Sequence, residues 1–145
     1  MRVIIQRVVE ARVSVGDETI AKIGRGICVF LGIGKTDDES LADALAGKVC
    51  NLRIFEDDQG KMNRSIIDVQ GEILVVSQFT LYGDCTRGNR PSFTEAAPPV
   101  EAEKLYSYFV QRLQNGSLTV TTGRFQARMN VSLINDGPVT FFLEA

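Results

Sequence analysis

From Arg2 to Val15 the chain reads RVIIQRVVEARVSV, with polar and apolar positions alternating often enough to predict a long strand. Gly16-Asp17 predicts a hairpin turn into a second strand over 18–23, and Gly24 to Gly26 another turn. ICVFLGI is then a continuous apolar run, the pattern of a central strand. Thr36 followed by Glu39 resembles a capping box and opens a helix with Leu41, Leu45, Val49 and Leu52 on one face.

RIFEDDQGKMN reads as a short strand and a polar loop, and EILVVSQFTL as a buried strand. An irregular, charged, glycine-containing stretch runs to residue 96. Pro98 and Pro99 suit the first turn of a second helix, with Ala102, Leu105, Tyr106, Phe109 and Leu113 as its stripe and Asn115-Gly116 as its stop. SLTVTT, MNVSLIN and PVTFFLE close the chain as β segments. The sum is an α/β (α+β) chain of about seven strands and two helices, read as a single domain over 1–145. Two helices cover one sheet face only, so the remaining β structure is expected to pack sheet on sheet.

With 145 residues, 44% of them hydrophobic, the chain can bury a real core. No stretch approaches the roughly 18 uninterrupted apolar residues of a membrane helix. Arginines at 2, 7 and 12 interrupt the N-terminal segment, so it reads as a strand of a cytoplasmic protein with no membrane association. Three cysteines, Cys28, Cys50 and Cys85, lack C-x-x-C spacing and read as reduced thiols. A net charge of −2 argues against coating nucleic acid by bulk attraction, and DNA is not expected as a partner. Two local basic patches remain, Arg87 with Arg90 and Lys61 with Arg64, each most simply a set of solvated loop charges.

The chain has no histidine, so chemistry falls to hydroxyls, amides, carboxylates or the main chain. GIGKT at Gly32 to Thr36 fails the phosphate-loop pattern because position 29 is Val29 rather than glycine. GRGICV lacks the third glycine of a dinucleotide motif. A zinc site would need three scattered cysteines plus carboxylates, so no metal and no cofactor is expected. Cys85 has no imidazole to make it a thiolate.

Two strings interrupt apolar runs. In S-Q-F-T, Ser77 to Thr80, strand alternation would send Ser77 and Phe79 to one face, Gln78 and Thr80 to the other. Hydroxyl and amide groups beside a ring could then orient an ester, with backbone N–H groups for an oxyanion. The plainer reading is a strand end whose polar groups satisfy local backbone. N-D-G-P-V-T, Asn135 to Thr140, is a turn: either a simple hairpin, or a cis Gly137-Pro138 bond projecting carbonyls toward a ligand ammonium.

These strings, with IQRV around Arg7, RIFEDDQGKMN, RGNRPSF, TGRF and MNVSLINDGPVT, make the chain resemble the D-aminoacyl-tRNA deacylases of bacteria and eukaryotes from end to end. The resemblance implies a three-layer homodimer of two packed β-sheets with two main helices. It implies a cis Gly137-Pro138 motif that enters the partner's site and faces Ser77 to Thr80. Its carbonyls would hold the substrate α-amino group, so an L side chain clashes and a D side chain points to solvent; glycine, with nothing to reject, would leak through.

On this resemblance Thr80 and the amides around Phe79 act on the scissile carbonyl of an aminoacyl-tRNA, supported by Gln78 and Ser77. Phe125, Ala127 and Met129 line the side facing the 3′-terminal adenosine, and Arg7 braces the inserted motif. The chain departs from the family at Gln126 and Arg128, where small or acidic residues are usual. Two other readings stay open: a non-catalytic, dimeric RNA-binding domain, and a different esterase or amidase using Thr80.

Overall fold

The computed structural model describes residues 1–114 and 116–145. Its strands are β1 (Arg2–Val15), β2 (Glu18–Ile23), β3 (Gly26–Gly32), β4 (Phe55–Glu56), β5 (Met62–Arg64), β6 (Glu72–Ser77), β7 (Thr119–Thr122) and β8 (Asn130–Glu144). Two helices, α1 (Glu39–Asn51) and α2 (Pro99–Gln114), account for the expected pair. One six-stranded sheet follows the order β2-β1-β3-β6-β7, with β8 on the other edge of β1; β4 and β5 form a small ribbon. The expected pair of packed sheets is therefore a single hydrogen-bonded sheet. It curls until β2 touches β6 and β7, and is nearly closed.

The two faces of this sheet carry separate cores. On β3, Ile27, Val29 and Leu31 point toward the helices, while Cys28 and Phe30 point into the curl. β6 divides the same way, Ile73 and Val75 against Leu74 and Val76, as a side-chain period of two requires. Both strands are parallel neighbours and buried on both faces, which is why each reads as an unbroken apolar run. Helices α1 and α2 cover the first face with Leu45, Val49, Phe109 and Leu113.

β1 changes face midway. Val3 and Ile5 belong to the helix-side core, but Val8, Ala11 and Val13 to the core inside the curl. The β1–β8 ladder shifts twice, between Gln6 and Val8 and between Val8 and Glu10, and the switch falls at the second, where Val9 is an extra residue on β1. At the first, Arg7 alone stands opposite Asp136 to Val139. The last two expected β segments are thus one strand, β8, and the chain between them is a bulge containing a cis Gly137-Pro138 bond rather than a hairpin.

Three further expectations change. The capping box is absent: Asp38, not Thr36, caps α1, its carboxylate accepting from the Leu41 amide at 2.9 Å. Leu41 and Leu52 are only partly buried, and Ala42 and Ala46 join Leu45 and Val49 on the buried face, because the helix packs closely on small residues. Strand β6 ends at Ser77, and Phe79–Tyr82 is a 3-10 turn, so the alternation expected for Ser77 to Thr80 does not continue. The stop expected at Asn115-Gly116 lies in part outside the described residues. Replacing Asp38 by Ala should cost about 1 kcal/mol in chemical denaturation, whereas Thr36→Ala should stay within about 0.5 kcal/mol.

Candidate active site

The parallel strands β3 and β6 end side by side, and the chain leaving β6 turns sharply there. The Gln78 amide still reaches back to the Leu31 carbonyl at 2.8 Å, then the Leu81 and Gly83 amides close the 3-10 turn on the Gln78 and Thr80 carbonyls at 3.3 and 2.9 Å. The turn lies flat on β3 because that strand ends in glycine. A Cβ on Gly32 would stand 2.9 Å from the Leu81 Cβ, and one on Gly34 2.7 Å from the Tyr82 ring. The first amides of such a turn, those of Phe79 and Thr80, have no acceptor within it.

Beside the turn is an open pocket of about 640 Å³. Ser77, Gln78 and Phe79 form one wall and Phe125, Gln126, Ala127 and Met129 another; Ala97, Pro99, Ala102 and Tyr106 of the α2 region supply its apolar floor. Two pairs of rings organise this space. Phe79, 59% exposed, meets Phe93 edge-on with centroids 5.0 Å apart, and Phe125 tilts against Tyr106 at 5.7 Å. The Tyr106 hydroxyl donates to the Val75 carbonyl at 2.9 Å, fixing the floor to β6, and burial pushes its pKa far above the usual phenol range. Residues 124–127 turn through a left-handed Gln126 (φ 58°), with the Ala127 amide donating to the Arg124 carbonyl at 3.2 Å.

Seven residues singled out from sequence therefore fall in or beside one pocket: Ser77, Gln78, Phe79, Phe125, Ala127 and Met129 in its walls, and Thr80 next to them. Thr80 is exposed and outside the lining, and its hydroxyl accepts from the Gln78 side-chain amide. Sequence reasoning did not find Phe93, Tyr106 or Ala97. Phe93 sits in a stretch without periodicity, and Tyr106 reads as part of the α2 core stripe, which it also is.

The other three residues, Arg7, Gly137 and Pro138, are elsewhere. Arg7 is 5% exposed, yet fully engaged: its guanidinium donates to the Ile54 carbonyl at 2.7 Å and to the Asp136 carbonyl at 3.2 Å, and it lies 3.2 Å from the Asp136 carboxylate. Asn135 completes the bulge, its side chain accepting from the Val139 amide at 2.9 Å and donating to the Thr140 hydroxyl at 2.9 Å. Gly137 has φ 127°, and a Cβ there would lie 2.7 Å from Val139 Cγ2. Only glycine is unstrained in that position. Gly137 and Pro138 themselves are exposed. Thus a polar network holds the motif from behind and leaves its front bare.

Among the described residues that line the pocket, no ionisable group offers a general base. The cysteines lie elsewhere: Cys28 is buried in the curl, which pushes its thiol up to about 12, and Cys85 is exposed in the loop after the turn.

A family model described as D-Tyr-tRNA(Tyr) deacylase matches residues 4–144. A D-aminoacyl-tRNA deacylase of Thermotoga petrophila is 57% identical over 145 residues, covering 100% of this chain and 97% of the relative. Another of that name, from Heliobacterium modesticaldum, is 57% identical over 144 residues, covering 99% and 96%. A solved structure described as c-Myc DNA Unwinding Element Binding Protein superposes with a TM-score of 0.95 at 44% identity, over 100% of this chain and 99% of that one. A probable eukaryotic D-amino acid tRNA deacylase superposes with a TM-score of 0.83 over 98% of this chain and 97% of that one; at 17% identity it shows the fold alone.

Two outcomes test this description. Because burial favours the neutral thiol, Cys28 should stay protonated and unalkylated at pH 8 in the native protein while Cys85 reacts, as peptide mapping would report; a Cys28 adduct without unfolding would contradict its burial. Arg7→Met should cost about 2–3 kcal/mol in denaturant titration, since the buried Ile54 carbonyl and the half-buried Asp136 carbonyl lose their donor.

Proposed function

This chain belongs to the D-Tyr-tRNA(Tyr) deacylase family, and from that premise we propose that it hydrolyses the ester joining a D-amino acid to the 3′-terminal adenosine of tRNA. The observation that carries the proposal is the turn at the end of β6. It sets the Phe79 and Thr80 amides, the Gln78 side chain and the Thr80 hydroxyl at the rim of a pocket with an aromatic, apolar floor. The floor by Phe125 and Tyr106 suits the adenine ring. The amides of the turn suit the carbonyl oxygen as it gains charge.

An aminoacyl ester is already labile, so holding it beside those amides supplies much of what catalysis needs. Water adds to the carbonyl carbon, the bond to the ribose oxygen breaks, and the proton ends on that oxygen, with the neighbouring ribose hydroxyl placed to assist. Covalent catalysis by Thr80 is disfavoured on geometry. Its hydroxyl accepts from the Gln78 side-chain NH2, a donor group that cannot take up its proton, and the chain has no histidine.

Chiral selection is assigned to Gly137 and Pro138 of a second copy. Both residues are exposed, and neither lines the pocket of its own chain, so the motif is presented rather than used in place. Val9, Ile134 and Phe142 on the adjoining strands are each more than half exposed, an apolar surface that a homodimer would cover. Seated opposite the Phe79 turn, the motif's carbonyls accept from the substrate ammonium. An L side chain then meets backbone, a D side chain meets solvent, and glycyl-tRNA is hydrolysed as well.

Purified protein should release D-Tyr from tRNA rapidly and leave L-Tyr-tRNA intact, with EDTA present. Equal loss of both esters would point to a general esterase, and loss of neither to an RNA-binding domain. Thr80→Ala should lower the rate about tenfold, the value of one hydrogen bond to a developing charge, without abolishing it.

A further inference from the structure

From two arginine-bearing loops at the pocket mouth we infer a surface that grips the phosphodiester backbone of the acceptor stem, resting on the deacylase reading above. The pocket opens at the C-terminal ends of β3 and β6 and is flanked on two sides. On the β3 side, the chain beyond the catalytic turn makes a loop closed by the Asp84–Ser92 bridge, with both backbone bonds made at 2.7 and 2.9 Å. It carries Arg87 and Arg90, and returns through Phe93 into the pocket wall. On the β7 side, Arg124 and Arg128 bracket the turn whose Phe125, Gln126 and Ala127 line the same pocket.

Place and pairing together set these four guanidiniums apart: among the described residues Arg12, Arg25 and Arg53 are also exposed and without an ion pair, but lie outside the two loops that enter the pocket wall. Arg2, Arg7, Arg64 and Arg112 each sit in an ion pair. Among the described residues, Arg87, Arg90, Arg124 and Arg128 are exposed and make neither an ion pair nor a side-chain hydrogen bond. The acid nearest Arg87 in sequence, Asp84, is occupied by the Thr86 amide and hydroxyl at 2.9 and 2.7 Å, which holds its carboxyl below the usual range; Glu95, nearest Arg90, is exposed.

In a chain of net charge −2, four uncompensated arginines on the two rims of one pocket are a localised positive field. An ester held in the pocket leaves the rest of its RNA outside, across these rims. Phosphates at the regular spacing of an A-form stem are what forked, unpaired guanidiniums bind, and such contacts position the strand without reading its sequence. The surface therefore accounts for substrate selection by RNA rather than by amino acid: it supplies affinity for the body, and the pocket supplies chemistry.

The test uses full-length protein, R87Q/R90Q and R124Q/R128Q variants, and two substrates: D-Tyr-tRNA and D-tyrosyl-adenosine, which has no phosphates. On tRNA, each double variant should lose roughly tenfold or more in kcat/KM at low salt and flatten the salt slope by about one unit per phosphate contact removed. On D-tyrosyl-adenosine each should match the unmodified protein within about twofold, since no phosphate is lost. Equal losses on both substrates, or an unchanged salt slope, would overturn the surface. Binding of uncharged tRNA by the same proteins supplies a readout without hydrolysis. If the parent protein cleaves neither ester, the deacylase reading fails, while weaker and less salt-dependent tRNA binding by the variants would still uphold the surface.

Discussion

The fold turns on one misfit between two strands. Where β1 pairs with β8, a single residue, Arg7, faces four, Asp136 to Val139. Two residues on, Val9 is an extra residue on β1, and that one-residue slip exchanges the faces of the strand: Val3 and Ile5 fill the helix-side core, Ala11 and Val13 the interior of the curl. The misfit at Arg7 throws the Gly137-Pro138 segment out of the sheet. A buried arginine makes the arrangement tenable, because its fork satisfies carbonyls that no ladder partner reaches. An aliphatic residue would fill the space and leave those acceptors bare.

The pocket follows from the opposite, regular part of the sheet. β3 and β6 are parallel and end level, so the crevice beyond their C-terminal ends is the natural place for a ligand. Glycines at 32 and 34 let the chain after β6 lie down on β3, and the residues that would have continued a strand become a turn with free amides. A histidine-free chain can hydrolyse an activated ester at such a place because the main chain, positioned in advance, does the electrostatic part. One end of the molecule thus presents a pocket and another an anchored motif, and the proposed activity needs a pocket from one copy and a motif from its partner.

How much of this is legible in the sequence varies with the physics of each segment. Period-two alternation and unbroken apolar runs placed β1, β2, β3 and β6 closely, and the stripe of α2 named Leu105, Tyr106, Phe109 and Leu113, all buried. Capping was misplaced by two residues because Thr36 and Asp38 both offer oxygens, and only the chain's path past Gly34 decides between them. The sheet's continuity was hidden for a deeper reason. Whether two β layers are separate or one curled sheet depends on register, and no single strand's pattern records the register of its neighbours. The polar strings around Thr80 and Pro138 stood out as disruptions of apolar runs. Phe93 and Tyr106 stayed hidden, one in an aperiodic loop and the other behind a core role that explains it equally well.

The central claim is that a working site is shared between copies, and subunit complementation tests it most directly. One variant would carry a disabled pocket turn, Phe79→Pro with Thr80→Ala, which removes a turn amide as well as the ring and the hydroxyl; the other, a disabled motif, Gly137→Ala with Pro138→Ala. Each should be inactive toward D-Tyr-tRNA alone. Unfolded and refolded together in equal amounts, they should recover about a quarter of the parent activity, since half of a random population of two-fold dimers pairs unlike chains and each such pair holds one intact site. A mixture no more active than its parts would contradict the shared site.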